Sequence, residues 1–581
     1  MSKQRNFSKE RKDLQKQGLA PAWMTTMGWQ LFSQKYLNGD CKNPHDQYKR
    51  ISTTLAKHAP KEFPDFWDKV DYWKGKTWEE AFFSVLWDGY ISASTPLLTN
   101  TGTDFGMSVS CSGAYVGDSV EEFYETRKGN ALLTKEGFGT SVYLGDIRSR
   151  GSKMKNGEAT GAQPVAEMFV DDSLKISQGS ARRGASAWYY PIDGGDFDEL
   201  VHYLETHTDG NNAGWCLTDE YREKLLSGDK EAVKRWGQML SCKGNVGSGY
   251  QFFKSKANRK TPKMYKDKGL EVKASQLCSE ITLFSDEENT YTCVLSSENL
   301  RNWDNRPDML AFVGTVLLDC VAEDFIVKAK TKAGLERAIK FTEENRALGY
   351  GAMAFHTYLL DHNIVWGSLE SKFINELMFS TIKKEAVQAT EWLAKVLGEP
   401  EMCKGYGVRN THLLAIAPTK STALIVGSVS EGINPQVGFV FTQTTPAGEV
   451  FRIDPSFLKL IQEKGIYVSE DDKGTQDFLY DIVSRKGSIQ HRSEFTEDEK
   501  AVYRTAFEIN PYAHLDLVSE RQKYVCQAQS TNLFLANMSA KEISKLYLYA
   551  FLDENILSLY YHYGLRDANI KTNMTCESCS G

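Results

Sequence analysis

The chain has 581 residues, a formal net charge of -7, 41% hydrophobic and 25% charged residues. That composition excludes a disordered chain and supplies enough apolar material for a large core, while the mild negative charge offers no basic footprint for nucleic acid. No apolar run approaches the ~20 residues that cross a bilayer. The polar start MSKQRNFSKE lacks a secretory stretch, so a soluble, cytoplasmic protein is expected, with neither membrane nor nucleic acid as partner.

Residues 1–90 read as helical, because apolar positions recur at helical spacing through WMTTMGWQLFSQKYL and WEEAFFSVLWDGYI. Gly75-Lys76-Thr77 imitates the end of a phosphate-binding loop but lacks the earlier glycine. From about 95 to 190 the texture changes to short segments broken by Gly, Ser and Thr, as in TPLLTNTGTDFGMSVSCSG. Helices are predicted around 194–240, 308–348 and 370–398, with HLLAIAP and TALIVGS as short strands between or after them. This alternation predicts an α/β fold whose strands feed functional loops. From Tyr561 to Gly581 the chain reads as an unpacked tail.

In a reducing compartment the 11 cysteines are no disulfide framework, and any one of them is best read as a small buried hydrophobe. Cys576 and Cys579 form a CxxC, with no second pair to complete a zinc site, so no metal ligands are assigned. The contexts of four other positions stand out. Cys278 and Glu280 lie in SQLCSE, Cys293 in TYTCVLSSENL, and Cys111 in MSVSCSGAYVGDS. Near the end, Tyr560-Tyr561 lie in LSLYYHYG.

In this order, from about residue 20 to the C-terminus, the set resembles the large, catalytic subunit of class I ribonucleotide reductases. The resemblance implies a ten-stranded α/β barrel over 95–560, built of two five-stranded parallel halves around a central finger loop. It also implies a helical region over 1–94 and a flexible redox tail over 561–581. Cys278 is then the radical cysteine, Glu280 the base beside it, and Cys111 and Cys293 the pair oxidised during turnover. Tyr560 and Tyr561 relay the radical, and Cys576 and Cys579 re-reduce the site by thiol–disulfide exchange; the stretch from Tyr561 to Cys576 reaches roughly 50 Å when extended. The chemistry is coherent. S–H and activated C–H bonds are comparable in strength, so a thiyl radical on Cys278 can take the ribose 3'-hydrogen. Glu280 can then accept the 3'-hydroxyl proton while water leaves C2'.

The same resemblance assigns Thr95, Ser110, Thr419, Lys420, Ser421 and Thr422 to substrate binding, the last four in a loop suited to a diphosphate. Asp118, Ser119 and Arg148 are assigned to a deoxynucleotide effector, and Gln178 and Arg182 to the loop between effector and substrate. No covalently bound cofactor is implied. The implied ligands and partners are a deoxynucleotide or ATP effector with Mg2+, a small (beta) subunit with a dinuclear metal site that generates the radical, thioredoxin or glutaredoxin, and a second large subunit as homodimer.

Three features depart from the family pattern. Gln276 stands where asparagine is usual, as part of the catalytic set, and Asn434 stands where glutamate is common. The short stretch ahead of Thr95 leaves little room for an ATP-cone. Rival readings are an adenosylcobalamin-dependent class II enzyme, against which the tyrosine pair argues, a glycyl-radical class III enzyme, and a catalytically silent nucleotide-binding homologue, which Gln276 keeps open.

Overall fold

The computed structural model describes residues 5–178, 182–445, 448–469 and 472–564, with 177–178, 182–183, 442–445 and 448–451 taken by backbone alone. Helices Phe7–Lys16, Thr26–Leu31, Pro44–Ala56 and Trp78–Trp87 lead in. Their starts are written locally. Asn43 caps a helix that opens with proline, and Thr77 with Glu80 closes a reciprocal capping box. Thr77 of the imitation phosphate loop is therefore a helix cap. Trp67 and Trp78, with ring centroids 4.5 Å apart, anchor this layer to the core.

Nine strands form the main sheet: β1 (Ile91–Ala93), β2 (Cys111–Tyr115), β3 (Gly139–Tyr143), β4 (Ala185–Pro191), β5 (Asn212–Leu217), β6 (Tyr250–Phe253), β7 (Tyr291–Asn299), β8 (Leu348–Met353) and β9 (Ser558–Leu559). Strands β2 to β6 run parallel in sequence order, which helical crossovers between them permit. β7 joins β2 antiparallel and carries β8 parallel on its other side. Backbone bridges from Tyr350 to Leu414 and from Ile416 to Gln529 extend this second half by two short segments. The sheet thus curls into the expected α/β barrel of two five-membered halves. One amendment is needed: the edge strand β1 runs antiparallel to β7, so the second half is not all parallel. β1 also places the first sheet residues just ahead of Thr95.

Helix Leu310–Ala329 is buried on almost every face, as an apolar helix in a core must be. It packs beneath β7 and β8 and against helix Leu369–Leu397. Three local expectations are corrected. TALIVGS falls in helix Lys420–Ile425 and the turn after it, not a strand, because its segment lies in no ladder. The stretch 194–240 is interrupted by β5, whose pairing with β4 and β6 overrides its helical reading. The chain remains packed through Gly564, since His562–Gly564 pairs parallel with Leu533–Leu535.

Candidate active site

Residues 274–285 have no regular secondary structure yet are buried throughout. Buried irregular backbone needs partners for its carbonyls, and hydroxyls from the surrounding elements supply them. Ser141 Oγ donates to Ser275 O at 3.1 Å, Tyr189 OH to Gln276 O at 2.7 Å, Ser530 Oγ to Cys278 O at 2.6 Å and Ser558 Oγ to Ser279 O at 2.8 Å. The backbone N–H of Ala528 takes Glu280 O at 2.8 Å. This is a finger loop fixed from several sides inside the barrel.

At its tip Cys278 and Glu280 face one cleft of about 570 Å³, counting its open mouth. Thr95, Ser110, Cys111 and the whole Thr419–Thr422 run line the same cleft. Gln276 lies just behind: its Nε2 donates to Glu280 Oε2, while its Oε1 is buried without a hydrogen-bond partner. An orphaned acceptor beside a carboxylate suits a ligand hydroxyl, because leaving it unmade costs about 1–3 kcal/mol. Ser94 Oγ, also lining the cleft, is a second buried orphan.

Cys111 and Cys293 are directly opposed across the β2–β7 ladder. Opposed residues on antiparallel strands have Cα atoms about 4.5–5.5 Å apart and side chains on one face, which is within the reach of a disulfide. Both are unoxidised thiols here. Burial pushes the Cys293 thiol well above its ordinary value, against a hydrogen bond from Gln527 Nε2 to Sγ at 3.4 Å. It is held as a protonated thiol, ready to give hydrogen.

From the other side Tyr560 OH donates to Cys278 Sγ at 3.6 Å. Its ring lies 4.2 Å from that of Tyr561, centroid to centroid. Tyr560 is almost fully buried, at 1% exposure, and Lys243 Nζ holds its carbonyl. Two adjoining tyrosine rings thus end in one hydroxyl on the sulfur that faces the cleft.

In the Pro418–Thr422 loop, Thr419 adopts φ 51° and its Oγ1 accepts from Gly432 N at 2.8 Å, which fixes the loop over the cleft. Lys420 makes no ion pair within 4.0 Å among the described residues, leaving a cation at the cleft wall. Asn434 uses both ends of its amide. Its Oδ1 accepts from Asn532 N at 3.1 Å and its Nδ2 donates to Ser530 O at 3.4 Å. A carboxylate could not make the second bond, which gives the departure from glutamate a local reason.

Asp118 and Arg148 pair at the surface, 2.5 Å apart, away from the cleft lining. Ser119 beside them caps helix Val120–Lys135. The side chains of Gln178 and Arg182, and all of Cys576 and Cys579, lie outside the described residues. Several residues escaped sequence reasoning: Ser530, Ser558 and Tyr189 holding the finger loop, Gln527 on Cys293, and Tyr250 against the tyrosine pair. Nothing local marks them, since each acts through a contact distant in sequence.

Residues 109–230, 218–406 and 400–562 match the family model for the ribonucleotide reductase barrel domain, and residues 22–106 that for its all-alpha domain. A frog virus 3 (isolate Goorha) protein named for the ribonucleoside-diphosphate reductase large subunit is 31% identical over 471 residues, 77% of this chain and 80% of that protein. The ribonucleoside-diphosphate reductase large subunit of invertebrate iridescent virus 3 is 30% identical, over 63% of this chain and 59% of its own length. Against the alpha subunit of Chlamydia pneumoniae, 25% identical over 83% of this chain, the match spans 54% of the longer protein. Among solved structures, the Actinobacillus ureae class Id ribonucleotide reductase alpha subunit superposes with a TM-score of 0.83 at 33% identity, covering 94% of this chain and 98% of that one.

Proposed function

The chain belongs to the ribonucleotide reductase family, and from that premise we propose that it is the large, catalytic subunit of a class I enzyme reducing ribonucleoside diphosphates to deoxyribonucleoside diphosphates. The observation that carries the class is the hydroxyl of Tyr560 on Cys278 Sγ with the Tyr561 ring packed against it, an arrangement that a cofactor radical generated next to the cysteine would not need. In this reading a separate small subunit with a dinuclear metal site oxidises Tyr561. The Tyr561 phenoxyl radical then takes a hydrogen atom from Tyr560, and the Tyr560 phenoxyl radical takes one from Cys278, leaving both tyrosines as phenols and a thiyl radical on the cysteine.

The thiyl radical removes the 3'-hydrogen of the ribose. Glu280, with Gln276 on its Oε2, accepts the 3'-hydroxyl proton as water departs from C2'. Cys111 and Cys293 supply two electrons and two protons and join as a disulfide. Cys278 finally returns the hydrogen to C3'. The overall balance is one diphosphate and two thiols giving one deoxy product, one disulfide and water. Cys576 and Cys579 would reset the disulfide and be reset in turn by thioredoxin or glutaredoxin. Thr419–Thr422 with Lys420 would hold the diphosphate, and Thr95 and Ser110 the nucleoside. Asp118, Ser119 and Arg148 would hold a deoxynucleotide or ATP effector with Mg2+ at a homodimer face, with Gln178 and Arg182 reporting to the substrate base.

The test is reduction of a ribonucleoside diphosphate with the small subunit, with adenosylcobalamin, and with neither. Turnover with the small subunit alone is expected. Turnover with adenosylcobalamin instead would move the chain to class II, and failure in every arm with intact nucleotide binding would leave a silent homologue.

A further inference from the structure

Beside the tyrosine pair stands a third tyrosine on a different element. Tyr250 opens β6 and is fully buried, at 0% exposure. Its hydroxyl donates to the hydroxyl of Tyr561 at 2.9 Å, and its ring centroid lies 4.8 Å from that of Tyr560 and 5.3 Å from that of Tyr561. The three rings therefore form one cluster with mutual contacts, not a line of two. Its frame is rigid. β6 is hydrogen-bonded to β5 on one side and β9 on the other, and β9 runs directly into Tyr560. Asn212 Oδ1 lies 3.3 Å from the Tyr250 hydroxyl, and Lys243 Nζ both grips Tyr560 O and sits 5.4 Å above the Tyr250 ring.

A direct hydrogen bond between two phenols is a path for hydrogen-atom transfer. We propose that Tyr250 is a third redox-active residue of the relay, exchanging a hydrogen atom with Tyr561 across their hydrogen bond. The step balances without any further reagent. The Tyr561 phenoxyl radical takes the electron and proton of the Tyr250 O–H bond; Tyr561 becomes a phenol and Tyr250 the phenoxyl radical, and the reverse transfer restores both. Because the two groups are the same chemical species, the exchange needs no driving force beyond differences in their surroundings. Tyr250 then serves as a buried holding place for the radical next to the step that oxidises Cys278. This inference rests on the relay reading of Tyr560 and Tyr561.

The experiment places 3-aminotyrosine, which is oxidised more easily than tyrosine and traps the radical, singly at position 250 and at position 560. Each full-length variant is mixed with small subunit, substrate and effector and read by electron paramagnetic resonance. An aminotyrosyl radical is expected at both positions, and at 250 it should vanish when Tyr561→Phe is added. A radical at 560 with none at 250 would overturn the proposal while leaving the relay intact. A radical at neither would bring down the relay reading itself, and this proposal with it. A radical at 250 that persists with Tyr561→Phe would overturn the exchange across their bond. Tyr250→Phe keeps the ring packing but removes the O–H, and turnover is expected to fall about tenfold, the scale of one hydrogen bond, with substrate KM unchanged. Full turnover in this variant would also count against the proposal.

Discussion

Ser279, between Cys278 and Glu280, the proposed radical cysteine and base, adopts φ 66°, in the left-handed region that residues with a Cβ seldom occupy. That turn lets Cys278 and Glu280 face the cleft together, and it persists because Ser530 and Ser558 hold the carbonyls on either side. Cys278→Ser should abolish reduction and leave nucleotide affinity nearly intact, since an alcohol O–H bond is too strong for a reversible radical carrier; the check is turnover beside equilibrium binding. Gln276 stands one methylene longer than the family's asparagine and still reaches Glu280. Gln276→Ala should therefore lower turnover on the order of a hundredfold with little change in substrate affinity. Gln276→Asn should bring no gain, because the site is fitted to the longer stem. A large gain from that variant over a nearly inactive parent would favour the silent homologue.

At the scale of elements, the β2–β7 ladder performs the pairing that the proposed redox step needs. Gly113 faces Tyr291 across it, and a Cβ on Gly113 would lie 2.1 Å from the Tyr291 ring, so only glycine lets that ring cover the strand. Two residues along, the same register sets Cys111 opposite Cys293. A single turnover of reduced enzyme should therefore link the peptides containing Cys111 and Cys293, read by mass spectrometry without reduction. Linkage of either cysteine to a different partner would contradict the register. Ser530→Ala should cost about 1–3 kcal/mol of stability by orphaning a buried carbonyl, and should lower turnover more than affinity, because the loop it holds carries Cys278. Denaturant titration and steady-state kinetics separate the two effects.

The whole molecule carries its pH dependence in buried groups away from the cleft. Burial pushes His356, His412 and His514 down to about 3, and each is at most 2% exposed. They fold neutral. Below the ordinary histidine value of about 6.5 the unfolded chain binds protons that the folded chain refuses, so stability is full above that pH and falls toward pH 3. Each of the three removes about 1.4 kcal/mol per pH unit in that window. Denaturant midpoints should drop from pH 7.5 to pH 5.5, and a flat profile would contradict the neutral assignment. Asp319 behaves in a lower window. Burial alone would raise its carboxyl, but Arg346 and Arg409 hold it down to about 2. Its contribution is present above about pH 4 and is lost as pH falls toward 2. Asp319→Ala takes a buried carboxylate from Arg346, which keeps Glu323, and from the part-buried Arg409, and should cost about 3 kcal/mol at neutral pH.

Much of the site was legible from residues alone, because its chemistry needs particular side chains in local motifs. Cys278 with Glu280, the tyrosine pair and the Thr419–Thr422 run each sit within a few consecutive residues, so the family resemblance could single them out, and their proposed roles rest on that resemblance. The α/β class followed from alternating texture, and the helical lead-in from the helical spacing of its apolar residues. Tertiary structure alone decided the rest. The opposition of Cys111 to Cys293 is a matter of strand register across the joined barrel halves, and a shift of one residue would turn one thiol to the other face. The hydroxyls of Ser530, Ser558 and Tyr189 gained their meaning from an irregular loop buried inside the barrel, whose carbonyls had nowhere else to bond. The apolar TALIVGS became helical and 212–217 a strand because neighbouring backbone, not side-chain period, settled their hydrogen bonding. Tyr250 joined Tyr560 and Tyr561 only when β9 came to lie beside β6.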